Sequence, residues 1–599
     1  MTIPTLYTDR KHKFQLETLK QTRISNSISL LRLVVFLIGI ASSLYFYISK
    51  LYYMLTAVSL AFFIVFVYLI YLHQRILDKK NYYSSLFDIN VLEIKALKGE
   101  WKSFLEKGES FIDYDHNYSY DLDIFGDNSL FQYVNRCSTY LGKVRLGKIL
   151  KSRLFDKDMI NKRQEAIKEL SPMVEFRQKL MAKGMQKEIK NPKELLEWVK
   201  EIDKNKLKLT YNLFFKALPI ITIVMVVASS ITRAIPYYIA SFLLIIQYSI
   251  TLLKAESRVR MVNMAEIYSK DIKAYEGMLK HIEANSFKGA LLTELKNKLY
   301  NKDNTSSSQV VNGLAKLVDL MSDRRNLGYS ILNIIFLLDY QFLIELEKWK
   351  VKYGNTVEGY LEVIGEIEEL SSFANLSFAN TDWSYPIINE GSLSLKAVEI
   401  SHPLLGDKGI RNNVYLEDPD KVLLITGSNM SGKSTLLRTL GINLVLAYSG
   451  SCVCARRFVC PSLNIYSCMR VKDDLENSIS SFYGEIIKIK KIVEAVDKGE
   501  KVFFLLDEIF KGTNSMDRHQ GATVLIKQLS RKSAIGLVST HDLELSKLED
   551  EREAAVRNYH FEEYYIEDKI NFDYKLKSGV SQTRNAVYLM KLAGIEIKE

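Results

Sequence analysis

The sequence predicts an α/β domain of P-loop type in its last third, preceded by an all-helical region that is interrupted by two apolar helical hairpins. Three observations predict it. A strand-type run passes into a loop with two glycines and a lysine and then into a helical pattern, as Val422-Leu-Leu-Ile-Thr-Gly-Ser-Asn-Met-Ser-Gly-Lys-Ser-Thr435. A second buried-strand run, Lys501-Val-Phe-Phe-Leu-Leu-Asp-Glu508, ends in two carboxylates. Apolar runs arrive in pairs, near residues 33–72 and again near 217–253. At 599 residues and 47% hydrophobic content the chain can bury the cores of several domains, which excludes a disordered tail protein. The net charge of +11 suits an anionic partner, and both nucleic acid and the inner leaflet of a membrane qualify. Five cysteines lack any C-x-x-C spacing, so they read as small apolar residues in a reducing compartment and not as a zinc site.

Residues 1–80 begin with a polar leader carrying Arg10, Lys11, Lys13, Lys20 and Arg23, then become apolar over 33–49 and 51–72. Each run approaches the roughly 17 to 25 residues that a helix needs to cross a bilayer. Two such runs without a small-residue cleavage site make a transmembrane hairpin the better reading than a secretory signal. Residues 81–210 alternate turn signals with helical patterns, including a polar, aromatic, loop-rich patch at 113–128. From Leu141 the helical pattern is basic, with Lys143, Arg145, Lys148, Lys151 and Arg153, a face that suits phosphates, anionic lipid or plain solvation. Residues 211–254 hold the second hairpin, over 217–232 and 234–253, with Arg233 and Pro236 at its bend. Cations crowd the outer flanks of the hairpins, at Arg75, Lys79, Lys80, Lys204, Lys206, Lys208, Lys254, Arg258 and Arg260, while each bend carries a single one. By the positive-inside rule the bends face away from the cytoplasm. The expectation is a multi-pass protein of the cytoplasmic membrane, with four spans and with its N-terminus and nucleotide domain in the cytoplasm. Residues 255–385 continue as long amphipathic helices, and residues 383–386 mark entry to the α/β domain at 386–599.

The chemistry of that domain follows from its residue types. Gly427 and Gly432 permit a tight turn, so that the N–H groups of the loop Ser428, Asn429, Met430 and Ser431 can face an anion at a helix N-terminus. Lys433 is placed to reach the β- and γ-phosphates, Ser434 to ligate Mg²⁺, and Thr435 to close the motif. Asp507 at a strand end suits the Mg²⁺ shell, and Glu508 suits the water that attacks the γ-phosphate. ATP and Mg²⁺ are the cofactors expected, and ATP hydrolysis the reaction.

With these motifs placed, the chain resembles the MutS family of DNA mismatch-repair ATPases, an ABC-type branch. The phosphate loop with its Asn429-Met430 pair is similar to that family's, as are Gly450-Ser-Cys-Val-Cys-Ala455, Asp473-Asp474-Leu475 with Ser481, Phe482 and Glu485, and Gly512-Thr-Asn-Ser515. Residues 130–139 with Gly142 resemble the family's helical core, and the tail from Tyr574 through Gln582 to Gly594 its C-terminal dimerisation segment. The resemblance implies a sensor role for His541, an adenine-side pocket at His402 and Pro403, and a composite site in a homodimer, where Asn514 and Ser515 approach the nucleotide of the other subunit. The chain departs from the pattern in residues 1–80, where the apolar hairpin stands in place of a mismatch-reading domain with its Phe-x-Glu wedge, and in Phe510 and Lys511, which replace Gly and Arg.

The function expected is that of a membrane-anchored, MutS-like ATPase with DNA-repair-type DNA binding of low base specificity and a nucleotide-driven change in its dimer. Membrane lipid and unidentified repair or membrane proteins are the further partners. One alternative is a membrane scaffold or sensor ATPase that touches no nucleic acid. An ABC-type transporter fits less well, because four spans are few and no Leu-Ser-Gly-Gly-Gln signature lies between the P-loop and Asp507.

Overall fold

The computed structural model describes residues 2–152, 156–185, 189–232, 236–253, 256–322, 327–428, 430–470, 481–566 and 569–580. The chain forms two compact units, one of residues 1–95, 137–143 and 173–368, the other of 96–136, 144–172 and 369–599. Residues 81–210, expected as one stretch of helical core, contribute to both.

The first unit is helical. Helices Ile3–Ile48 and Tyr52–Leu97 contain 46 residues each and reverse over 49–51, where Lys50 takes a left-handed φ of 57°. Each is about 70 Å long, more than twice a hydrocarbon core of about 30 Å. The apolar end of the pair is bare, with Leu33, Phe36, Leu37, Leu60, Phe63 and Ile64 exposed. The polar end packs into protein. There Phe14, Leu86, Ile89 and Ala182 share a core, and Arg10 Nε donates to Gln178 Oε1 at 2.8 Å.

Helix Leu209–Thr232 tolerates Pro219 within it, and helix Tyr237–Leu252 starts directly after Pro236, whose fixed φ and missing N–H suit a helix start. Among the described residues, helices Ile3–Ile48 and Tyr52–Leu97 and residues Leu209–Ile231 are long and apolar enough to cross a membrane, whereas Tyr237–Leu252, with 16 residues, is shorter. The bend at Arg233 and the flanking Lys254 lie outside the described residues, as does the side chain of Arg258. Elsewhere in this unit Glu368 is fully buried and accepts from Ser138 N at 2.8 Å and from the hydroxyls of Ser138 and Thr139. A Cβ on Gly142 would lie 2.5 Å from Glu368 Oε2, so only glycine fits where this helix meets the carboxylate.

The second unit is mixed α/β. Its strands are β1 (Ile387–Asn389), β2 (Leu395–Ile400), β3 (Asn412–Leu416), β4 (Val422–Thr426), β5 (Arg457–Pro461), β6 (Asn464–Cys468), β7 (Val502–Asp507), β8 (Ala534–Ser539), β9 (Val556–His560), β10 (Glu563–Ile566), β11 (Lys569–Phe572) and β12 (Lys577–Ser578). One sheet has the order β1-β5-β2-β3, and the larger has β12-β9-β4-β8-β7-β6, parallel except for β12. β4 is buried throughout, as the apolar run at 422–426 requires of a central parallel strand. Along β7 the side chains alternate. Val502, Phe504 and Leu506 join a core with Ile492 and Val496 of helix Ser481–Asp497 and with Leu525 and Leu529 of helix Ser515–Ser530. Leu505 points to the other face, where its Cδ1 lies 2.9 Å from the Cβ that Gly441 of helix Lys433–Tyr448 lacks. The sheet thus carries helices on both faces, and the carboxyl ends of β4, β7 and β8 converge on one edge. Residues 157–170 are tied to the C-terminus of the 433–448 helix by Arg163, which donates to Ser449 O at 2.8 Å and pairs with buried Glu369.

Candidate nucleotide-binding site

The site lies where β4 gives way to helix Lys433–Tyr448. Gly427 has φ 144°, Met430 67° and Gly432 109°, so the loop turns through conformations that glycine adopts without strain. A Cβ on Gly427 would come within 3.0 Å of Phe561 O, which leaves no room for a larger residue. Asn429 lies outside the described residues. Lys433 is buried, and its Nζ donates to Gly427 O and Ser428 O, each at 2.9 Å, which folds the ammonium back over the loop. Burial lowers its pKa, opposed by Glu508 and then Asp507.

The carboxylates arrive from β7. Asp507 accepts from the Ser539 hydroxyl of β8, and the Glu508 N–H donates to Ser539 O at 2.9 Å, which fixes both carboxylates to the neighbouring strand. His541 Nε2 lies 2.7 Å from Glu508 Oε1 and 3.3 Å from Lys433 Nζ, so the histidine two residues beyond β8 links the phosphate-loop lysine to the acidic pair. Lys511 Nζ approaches Glu508 Oε2 at 2.9 Å. The hydrogen bond from His541 is the largest cause of a Glu508 pKa held down to about 2, against a burial effect that alone would raise it. Glu508 itself sits at φ 50° and Phe510 at 63°, a strained turn for side-chain-bearing residues. Glu485 holds this turn, its Oε1 accepting from Phe510 N at 2.5 Å, and Phe482 packs where a Cβ on Gly512 would sit. The neighbours Asp473, Asp474 and Leu475 lie outside the described residues, as does the side chain of Ser481.

A cleft of about 470 Å³ is lined by Met430, Ser431, Gly432, Lys433, Ser434, Thr435 and Glu508 on the phosphate-loop side and by His402, Leu405, Ile410 and Tyr574 on the other. Burial and the nearby Arg438 lower the His402 pKa to about 4, so the ring is neutral at pH 7, and Nδ1 accepts from Leu404 N at 3.3 Å. Pro403 opens the short helix behind it. A second cleft of about 840 Å³ shares Glu508 as its wall and is lined by Lys511, Ser515, Met516, Arg518, His519 and His541. Asn514 caps helix Ser515–Ser530, its side chain accepting from Asp517 N at 2.9 Å, and so presents Ser515 at the helix start.

Sequence reasoning missed three contributors. Ser428 donates to Glu563, which is buried on β10, and Tyr574 stands against Gly432, its backbone O accepting from Asn412 Nδ2 at 3.0 Å. The third is Asp121, in the loop-rich patch at 113–128. Fully buried, it accepts from Ser467 Oγ at 2.8 Å, Met469 N at 3.0 Å and Lys488 Nζ at 3.0 Å, while its backbone O accepts from Arg438 Nε at 3.1 Å. Asp123 beside it pairs with Arg470 at 2.5 Å. The acidic Asp121-Leu-Asp123 triplet in an aromatic patch was the available signal, but its partners lie more than three hundred positions away in sequence.

A parallel sheet whose central strand ends in a two-glycine loop, with a lysine at the following helix start and an acidic pair on the second strand over, defines a domain of P-loop type. Residues 423–598 match the family model described as MutS domain V. The chain is 30% identical over 263 residues to the DNA mismatch repair protein MutS of Aquifex pyrophilus, covering 43% of this chain and 30% of that protein. It is 29% identical over 268 residues to the protein of the same name from Staphylococcus aureus strain JH9, covering 44% and 30%. The similarity to these proteins lies in the C-terminal part of the chain, and the chain spans 30% of the length of the curated relatives it matches.

Proposed function

We propose that the chain is a membrane-anchored MutS-type ATPase that works as a homodimer and contacts DNA with low base specificity. The observation that carries this reading is the meeting of Lys433, Glu508 and His541 at one sheet edge, in a chain whose described residues include three helices of membrane-spanning length and composition. The cradle fits a nucleotide triphosphate, since the two positive-φ glycines leave backbone N–H groups at a helix start and Lys433 lies within the loop. Ser434 and Asp507 would hold magnesium, which supplies charge neutralisation at the phosphates when bound. Lys433 orients and neutralises the terminal phosphate, and Glu508 orients the attacking water. His541 holds Glu508 ionised. The cleft wall of His402 and Ile410 suits an adenine ring, and Ser515 suits the approach of a second subunit. C-terminal dimerisation is assigned to the tail from Tyr574 through Gln582 to Gly594, of which residues 581 onward lie outside the described residues.

The hydrogen bond from His541 is the largest of the influences that hold the Glu508 pKa down to about 2. His541→Ala removes the strongest influence holding that carboxylate down. The acid limb of the turnover–pH profile is then expected to move up in pH, because Glu508 must be ionised to act; an unmoved limb would detach His541 from Glu508.

The proposed topology of four spans puts the bends outside. Ser49→Cys should react with an impermeant maleimide from outside intact cells, and Lys80→Cys only after permeabilisation. Equal labelling of both from outside contradicts it.

The DNA reading draws on the relatives' names and on the basic stretch 143–153. Of its cations Lys148 is exposed, Lys143 and Arg145 are half-buried, Lys151 pairs with Asp113 at 3.4 Å, and Arg153 lies outside the described residues. So modest a phosphate-facing surface should bind duplex weakly, steeply with salt, and with less than about a threefold preference for a mismatch, under about 0.7 kcal/mol. Titrating matched and mismatched duplexes at several salt concentrations checks this. A tenfold mismatch preference contradicts it, and no binding at low salt favours the scaffold or sensor reading, which the partial engagement of these cations also supports.

A further inference from the structure

We propose that residues 327–344 are a third membrane-embedded element, a broken helix whose first arm is seated in the lipid of one leaflet beside the mouth of the 209–252 hairpin. This rests on the membrane-anchoring reading. Helix Leu327–Phe336 is followed by helix Leu338–Tyr353; Tyr329–Phe336 and Leu338–Tyr353 meet at an angle of 76°, and as a pair they are apolar enough for a span. The ten residues of the first arm reach about 15 Å, too short to cross a bilayer.

The pattern of burial carries the inference. In the hairpin, polar side chains are inside and apolar ones outside: Thr222, Ser229 and Gln247 are buried, while Ile220, Val224, Phe242 and Ile245 are bare. Such inversion is what a hydrocarbon solvent selects. The broken segment repeats it. Asn333 on the short first arm and Asp339 just past the break are buried at 8% and 1% exposure, whereas Ile331 and Leu332 beside Asn333 stand at 51% and 47%. In water those exposures would be costly.

The break itself is closed internally, as a break in lipid must be. Leu337, fully buried, turns the chain at φ 50°, and its N–H donates to Asn333 O at 2.8 Å. Asp339 Oδ1 accepts from Tyr329 OH at 2.6 Å, Oδ2 accepts from Asn333 Nδ2 at 3.0 Å, and Asp339 N donates to Asn333 Oδ1 at 2.9 Å. Tyr340 then fastens the break to both hairpin helices. Its ring stacks on Phe215 at 4.2 Å and its hydroxyl donates to Ile250 O at 3.1 Å. Phe215 and Ile250 lie toward the hairpin ends opposite the bend, and exposed Lys204 and Lys208 precede that mouth in sequence, where anionic headgroups would meet them.

The test is made on the full chain in phosphatidylcholine–phosphatidylglycerol vesicles, with single cysteines introduced as Ile331→Cys, Leu332→Cys and Phe336→Cys. Ile220→Cys and Val224→Cys report the hairpin, and Lys302→Cys reports water. The five native cysteines are buried, so background labelling is low. Rates with an impermeant maleimide should be at least about tenfold slower at 331, 332 and 336 than at 302, and similar to those at 220 and 224. A bimane at 332 should also be quenched by lipids brominated on their acyl chains. Fast labelling at 331, 332 and 336 with protection at 220 and 224 overturns this proposal and leaves the anchoring intact; protection without quenching overturns it too, by placing the segment against protein. Fast labelling at 220 and 224 as well shows that the anchoring reading itself has failed.

Discussion

Glu508→Gln is expected to lower ATP turnover by about 10²- to 10⁴-fold, the range of a positioned acid–base group, while ATP affinity stays within about threefold of the parent. Glutamine keeps the shape of the side chain and its reach toward His541, but removes the charge that His541 and Lys511 hold. In the proposed role the group acts on the attacking water and not on the ground-state phosphates, so binding should survive and turnover should not. Rapid-quench hydrolysis and nucleotide titration separate the two. A parallel loss of both would make Glu508 a structural support of the β7 turn and not a participant.

Lys433→Ala should produce the other profile, loss of hydrolysis together with weaker nucleotide binding. A charge-assisted hydrogen bond contributes about 1.5–3 kcal/mol, so affinity should fall about 10- to 150-fold. Lys433 is buried among Gly427 O, Ser428 O and His541, and alanine there leaves two loop carbonyls without their donor, so the variant's thermal midpoint should be compared alongside. Unchanged ATP affinity in a folded variant contradicts the assignment.

The parts of this site that were legible in the sequence are those built by local chemistry. Gly427, Gly432 and Lys433 act within one turn of backbone, and Asp507 and Glu508 follow from an apolar run that ends in two acids. The closures were not legible, because they depend on distant segments meeting. Asp121 binds strand β6 and helices Lys433–Tyr448 and Ser481–Asp497 from a loop far upstream, and Tyr574 closes the cleft from beyond β11. The apolar segments divide in the same way. The long runs at 33–49 and 51–72 announced themselves by length, and the structure continues them as 46-residue helices whose polar ends pack into protein. Run length overstated the second hairpin, since Pro236 delays the start of its second helix to Tyr237 and leaves 16 residues. The segment at 327–344 escaped notice because Asn333 and Asp339 break its apolar run, and only folding shows that these polar groups turn inward on each other.

The central claim, that one chain is both inserted in a membrane and loaded with ATP, is tested most directly by photo-crosslinking radiolabelled azido-ATP to membranes washed with alkaline carbonate. The account predicts a labelled full-length chain retained in the pellet, with the label competed away by unlabelled ATP and absent from Lys433→Ala. Recovery of the labelled chain in the carbonate supernatant, or retention in the pellet with label that ATP does not displace, would contradict it.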